Sequence, residues 1–78
     1  MYYVYIIKNV NGVIYKGYTT DLKRRIQEHN NGSTRTTRGQ GNHELIWYCA
    51  FPTKTQALQF ENYLKSGSGI AFMKKHLV

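Results

Sequence analysis

Chemistry on a charged substrate needs a few polar side chains held at fixed spacing, and this chain offers a short set of them. Its acids are four: Asp21, Glu28, Glu44 and Glu61. Chemistry that works through a hard divalent metal must draw on at least one of these carboxylates. In a helical reading, Glu61 lies one turn from both Ala57 and Lys65 and three residues before Leu64. That puts it beside the apolar face, not opposite it. From there a carboxylate can act as an oxygen ligand to a metal ion, projecting from a rigid element; the plainer alternative is a solvated glutamate paired with Lys65. Arg25 and His29 stand one helical turn apart on a flank of the Leu22/Ile26 stripe, either solvated or meeting a phosphate. Tyr3, Tyr5 and Tyr15 bring phenols into one hairpin, where aromatic residues also serve as strand formers and core filling. Lys16 and Tyr18 read as surface strand residues.

Other chemistries are excluded. The histidines form no HxxxH-type metal spacing, and the single Cys49 rules out an internal disulfide and any multi-cysteine zinc site. Cys49, within a strand, reads as a core hydrophobe. Four acids leave no Ser/His/Asp arrangement, and Gly67-Ser68-Gly69 is too short and too far from a strand to cradle a phosphate. Eleven Lys/Arg against four Asp/Glu leave a net charge of +7, which calls for a polyanionic partner, nucleic acid being the commonest. The longest apolar run, Leu45 to Phe51, is far short of the ~20 residues that span a bilayer, so no membrane association is expected. Met1-Tyr2-Tyr3-Val4-Tyr5 has no basic n-region, so a secretory signal is not expected, and a domain without disulfides suits a reducing cytoplasm.

The elements that must position these groups follow from local pattern. With 41% hydrophobic and 19% charged residues, the 78-residue chain can build one compact core, a single domain over 1–78. Tyr2 to Lys8 reads as a strand, Asn11-Gly12 as a turn, and Val13 to Tyr18 as the returning strand. A two-residue Asn-Gly loop would pair Tyr5 with Tyr18 and put Tyr15 on the opposite face. A three-residue loop, Val10-Asn11-Gly12, with Gly12 left-handed, pairs Ile7 with Tyr15 and Tyr5 with Gly17, so that Tyr3, Tyr5 and Tyr15 share a face. The second is preferred because glycine suits its third loop position. Thr19-Thr20 is expected to cap a helix from about Asp21 to Asn30, ended by Asn31-Gly32. Gly32 to His43 has no apolar residue, carries Arg35 and Arg38, and reads as an exposed, mobile loop. Glu44 to Phe51 is a third strand, stopped by Pro52. Thr53 with Gln56 forms a capping box for a helix from Lys54 to Lys65. Ser66-Gly67-Ser68-Gly69 is expected to break that helix before a last one, Ile70 to Leu77, bearing Lys74 and Lys75. The order ββαβαα implies an α+β domain, a small three-stranded antiparallel sheet with helices packed over it.

Taken together, Tyr3-Val4-Tyr5, Tyr15 through Asn30 and Ala57 through Gly67 resemble the GIY-YIG nuclease superfamily, specifically its small single-domain bacterial members. The resemblance runs from Tyr2 to about Leu77, with Tyr3-Val4 in place of Gly-Ile and Lys16 in place of the second motif's Ile. It implies a three-stranded antiparallel sheet flanked by helices, and the three-residue turn, since both motif tyrosines must share a face. It further implies that Tyr5, Tyr15, Arg25, His29 and Glu61 are catalytic, that Gly17 closes the second motif, and that Glu61 is the metal ligand. The activity implied is hydrolysis of DNA phosphodiester bonds with one Mg2+ or Mn2+ ion, in repair or recombination, with RNA not excluded. A tyrosinate, Tyr5 or Tyr15, would take the proton from water, Arg25 would stabilise charge on the phosphate, and His29 would accept or relay the tyrosine proton. Lys16, Gly17, Lys23, Arg24, Arg35, Arg38, Lys74 and Lys75 are the expected nucleic-acid contacts. The rival expectation is a non-catalytic nucleic-acid-binding module of the same fold. Glu61 discriminates the two, because a pure binder gains nothing from a carboxylate among its cations.

Overall fold

Tyr2–Asn9 forms β1, the middle strand of an antiparallel sheet of order β2-β1-β3, with β2 at Ile14–Thr19 and β3 at His43–Phe51. Helices α1 (Leu22–Asn30), α2 (Lys54–Lys65) and α3 (Gly67–His76) complete the order ββαβαα. These elements are those of a computed structural model that describes residues 1–31 and 42–77. The arrangement is the expected α+β one.

The hairpin decides which tyrosines meet. Gly12 has φ +83°, the left-handed conformation that favours glycine. Asn9 Oδ1 accepts the backbone N–H groups of Asn11 and Val13, both at 2.9 Å, tying the turn to the end of β1. The resulting register pairs Ile7 with Tyr15 and Tyr5 with Gly17, as the three-residue loop requires.

As the middle strand, β1 is covered on both faces: Val4, Tyr5, Ile6 and Ile7 are all fully buried. Val4 and Ile6 join Ala57, Leu64 and Met73 in the core beneath α2 and α3, with Trp47, Phe51 and Phe60 packed around it. At ~1.5–3 kcal/mol per large apolar side chain, this face is the main source of the fold's stability. Tyr5 alternates to the opposite face, where α1 lies. A bulge on β3 shifts the pairing, with Ile6 opposite Trp47 and Ile7 opposite Leu45.

Five local expectations are corrected, the last in part. The cap of α1 is Asp21 itself, whose Oδ1 accepts Arg24 N–H at 3.1 Å, while Thr19 Oγ1 is engaged with the Asp21 backbone. Gly67–Gly69 is the first turn of α3 and not a break, because Ser66 ends α2 and also caps α3 by accepting Gly69 N–H at 3.2 Å. The two helices meet so closely there that a Cβ on Gly69 would collide with the Tyr63 carbonyl. His43 belongs to β3 and is buried, whereas the rest of the Gly32 to His43 loop expectation, with Arg35 and Arg38, falls almost wholly outside the described residues. Cys49 is only partly buried, because β3 is an edge strand. The capping box at Thr53 forms in half: Thr53 Oγ1 accepts Gln56 N–H at 3.2 Å and donates to Gln56 Oε1 at 3.1 Å.

Candidate active site

The site centres on the Tyr5 phenol. Across the hairpin, its ring lies over Gly17, where any Cβ would run into the phenol end of the ring. The glycine is thus required by close approach and not by a turn. From α1, His29 sits fully behind the surface at 1% exposure, with Nε2 2.7 Å from Tyr5 Oη. Arg25, one turn earlier, donates from Nε to the same oxygen at 3.4 Å. The predicted helical flank of Arg25 and His29 therefore exists and is aimed at Tyr5. Tyr15 completes the cluster, its ring centre 5.0 Å from that of His29 and 6.3 Å from that of Tyr5.

Proton positions follow from burial. Desolvation, with Arg25 and His43 adding to it, pushes the His29 pKa down to about 4, so the ring is neutral at pH 7. Burial likewise pushes Tyr5 up to about 12, against the pull of Arg25 and with Tyr15 and Glu61 adding a smaller upward push. Tyr5 Oη accepts from Arg25 and shares a short hydrogen bond with His29 Nε2, between two neutral rings in a low-dielectric setting. The phenol is held protonated and oriented. Tyr15, by contrast, is only partly buried and is the more accessible of the two to water.

Glu61 is carried by α2, and its charge is felt at Tyr5. Its side chain is 16% exposed, and Oε2 lies 3.5 Å from Lys65 Nζ. Both the carboxylate-ligand and ion-pair readings thus keep a structural basis, because a Lys at i+4 yields to a divalent charge more readily than a buried partner would. Among the described residues no three His, Cys, Asp or Glu side chains cluster to hold a metal. A lone carboxylate suits magnesium or manganese, hard ions of which magnesium keeps most of its waters; it does not suit zinc, which needs three or four protein ligands. The donor set fits the implied ion.

The other expected contacts disperse. Lys16 lies on the opposite face from Tyr15 and donates from Nζ to the Leu64 carbonyl at 3.4 Å, near the C-terminal end of α2 where a cation is favoured. Gly17 is buried beneath Tyr5, which accounts for it by packing. Lys23 and Arg24 are exposed on α1, and Lys74 and Lys75 end α3, also exposed.

Three residues of consequence were missed. Glu28 pairs with both Arg24 Nε at 3.4 Å and Arg25 Nη1 at 3.2 Å, steadying Arg25 for its contact with Tyr5. The i,i+4 and i,i+3 spacings could have signalled it. His43 packs its ring 5.9 Å from His29 and depresses the latter's pKa, yet neither of its own ring nitrogens has a partner among the described residues. Tyr48 sits directly across from Tyr5 on β3, half exposed. No local signal marked either.

A family model, described as the GIY-YIG catalytic domain, matches residues 1–74. A UPF0213 protein of Halalkalibacterium halodurans is 43% identical over 65 residues, covering 82% of this chain and 69% of that protein. One of Haloquadratum walsbyi is 41% identical over 66 residues, 83% of this chain and 74% of its own length. A solution NMR structure of the UPF0213 protein from Bacillus halodurans aligns with a TM-score of 0.59 at 38% identity, covering 96% of this chain and 84% of that one.

Proposed function

This chain belongs to the GIY-YIG family of nuclease domains, and on that footing we propose that it is a divalent-metal-dependent endonuclease that hydrolyses DNA phosphodiester bonds. One observation carries the reading: the buried Tyr5 phenol is held between His29 Nε2 at 2.7 Å and Arg25 Nε at 3.4 Å, over a glycine that leaves room for its ring. A fold maintained for packing alone gains little by burying a histidine against a phenolic oxygen and leaning an arginine on the same atom.

Each group has a task. Arg25, braced by Glu28, has further donors of its fork free to meet a phosphate oxygen on which charge develops. Tyr15, the tyrosine nearer to water, first gives up its own proton to solvent and then, as the phenolate, accepts a proton of the attacking water as that water bonds to phosphorus and the leaving oxygen departs. Tyr5, held protonated by its burial against His29, keeps Arg25 and the Tyr15 ring in register and donates no proton to solvent at neutral pH. Glu61 would hold the metal ion, which when bound stabilises charge on a phosphate oxygen and on the leaving oxygen. A role in repair or recombination, and cytoplasmic residence, accord with this reading.

The test is cleavage of a panel of linear, branched and single-stranded DNAs with magnesium or manganese, by wild type and Glu61→Gln. Glutamine keeps the volume and helix propensity but removes the charge that holds a hard cation. The variant should fold, bind DNA at least as well as the parent, and lose cleavage almost entirely. Wild-type cleavage by the variant, or no cleavage of any DNA by wild type, would leave a non-catalytic nucleic-acid-binding module as the better reading.

A further inference from the structure

Beside the Tyr5 cluster, on the same face of the sheet, α1, β1 and β3 border an open groove of about 680 Å³. Leu22, Ile26 and Leu45 supply its apolar walls, Tyr3 and Tyr48 its aromatic side, and Lys23 stands on its rim. It adjoins a second hollow lined by Arg24 and Arg25, the two sharing Thr20 and Asp21. Tyr48 is 52% exposed, and its ring stands 6.3 Å from Tyr3 at 58°. An aromatic residue on an edge strand can be exposed merely for its strand propensity. Here, however, it forms one side of an apolar groove, sits directly opposite Tyr5 in the sheet, and shares the groove with Lys23, next to the hollow where Arg24 and Arg25 outnumber the Glu28 they both pair with.

We propose that this groove takes an unpaired nucleotide of the DNA strand, its base stacked on Tyr48 and its phosphates running past Lys23 toward Arg24 and Arg25. The occupant follows from the chemistry of the lining. Flat apolar walls with an exposed phenol ring match the face of a nucleobase, and a chain with a net charge of +7 draws a polyanion to the rim. Asp21 does not spoil the rim, since its carboxylate is committed to capping α1, accepting Arg24 N–H where the helix dipole offsets its charge. A base reaches the groove only if it is unpaired. The site therefore favours gaps, flaps and single strands over intact duplex, which refines the nuclease reading above and depends on it for the identity of the strand.

The test separates the two claims by working without metal. Fluorescence anisotropy in EDTA compares a labelled oligothymidylate with an abasic oligomer of equal length, binding the full chain and its Tyr48→Ala and Tyr48→Phe variants. Wild type should prefer the thymidylate ~10-fold, Tyr48→Phe should keep that preference, and Tyr48→Ala should abolish it. Tyr48 is half exposed, so the alanine variant should fold; a circular dichroism melt verifies that, and Tyr3→Leu is the second variant, expected to weaken the preference. Equal binding of the two oligomers by wild type, or an unchanged preference in folded Tyr48→Ala, overturns the proposal. So does a dimer on gel filtration that Tyr48→Ala dissolves, since a second copy would then fill the groove. Base preference without any magnesium-dependent cleavage would sink the nuclease reading and leave the groove standing; cleavage without base preference would do the reverse.

Discussion

Acidification should destabilise this protein through one buried ring. Unfolded, His29 takes up its proton at about pH 6.5; folded, it resists until about pH 4. Between those values the unfolded chain binds more protons, so stability rises with pH across the window and falls on acidification through it. A shift of that width, at ~1.4 kcal/mol per unit, is worth about 3 kcal/mol, present above pH 6.5 and lost by pH 4. The ring is 1% exposed, so little of this is screened. For a domain this small it amounts to a fall in Tm of roughly 10–25 °C. The assay is urea unfolding by circular dichroism at a series of pH values from 7 to 4, on wild type and His29→Gln. Glutamine can still accept the Tyr5 hydroxyl proton through Oε1 but does not titrate, and the contributions of the carboxylates cancel in the comparison. Wild type should lose about 3 kcal/mol more than the variant across the window. Parallel curves for the two proteins would refute the buried neutral imidazole. The alkaline limb has its own sign: the unfolded phenol ionises at about pH 10 and folded Tyr5 at about 12, so stability contributed by Tyr5 is complete below 10 and is lost as pH rises toward 12.

Gly17→Ala should cost ~1–3 kcal/mol in urea unfolding, because its methyl meets the Tyr5 phenol, and adding Tyr5→Ala should remove most of the coupling between the two sites; simple additivity would count against the clash. Tyr15→Phe should fold normally and lower metal-dependent cleavage by ~10²-fold or more, whereas Tyr5→Phe should cost ~1–3 kcal/mol of stability by stranding His29 Nε2; full activity in Tyr15→Phe would exclude it as the base. DNA binding should weaken with salt at a log–log slope of about −4 to −5, for roughly four to six phosphates neutralised by residues such as Lys23, Arg24, Lys74 and Lys75, and a flat titration would contradict it.

The sequence by itself determined the elements and narrowed the hairpin to two registers, of which one brings the tyrosines together. Asn11-Gly12 demands a left-handed residue, which both a two-residue and a three-residue loop supply, so the pattern narrowed the register to two choices and the structure selected the pairing of Tyr5 with Gly17. The 3.6-residue period likewise put Arg25 and His29 on one flank of α1, and Thr53 with Gln56 marked where α2 begins. Such features depend on neighbours a few residues apart, which pattern reveals. The tertiary structure alone decided what those groups are chemically. Tyr5 and His29 are 24 residues apart in the chain, and their 2.7 Å bond, the burial that holds one neutral and the other protonated, and the partial exposure of Tyr15 arise only when α1 closes over the sheet. The same is true of Gly17, which reads as a motif glycine but is required by a ring packed from the facing strand, and of Tyr48, whose groove exists only between α1 and β3. Geometry along one element is set by short-range sterics, whereas desolvation and proton affinity are set by everything that displaces water, from every part of the chain.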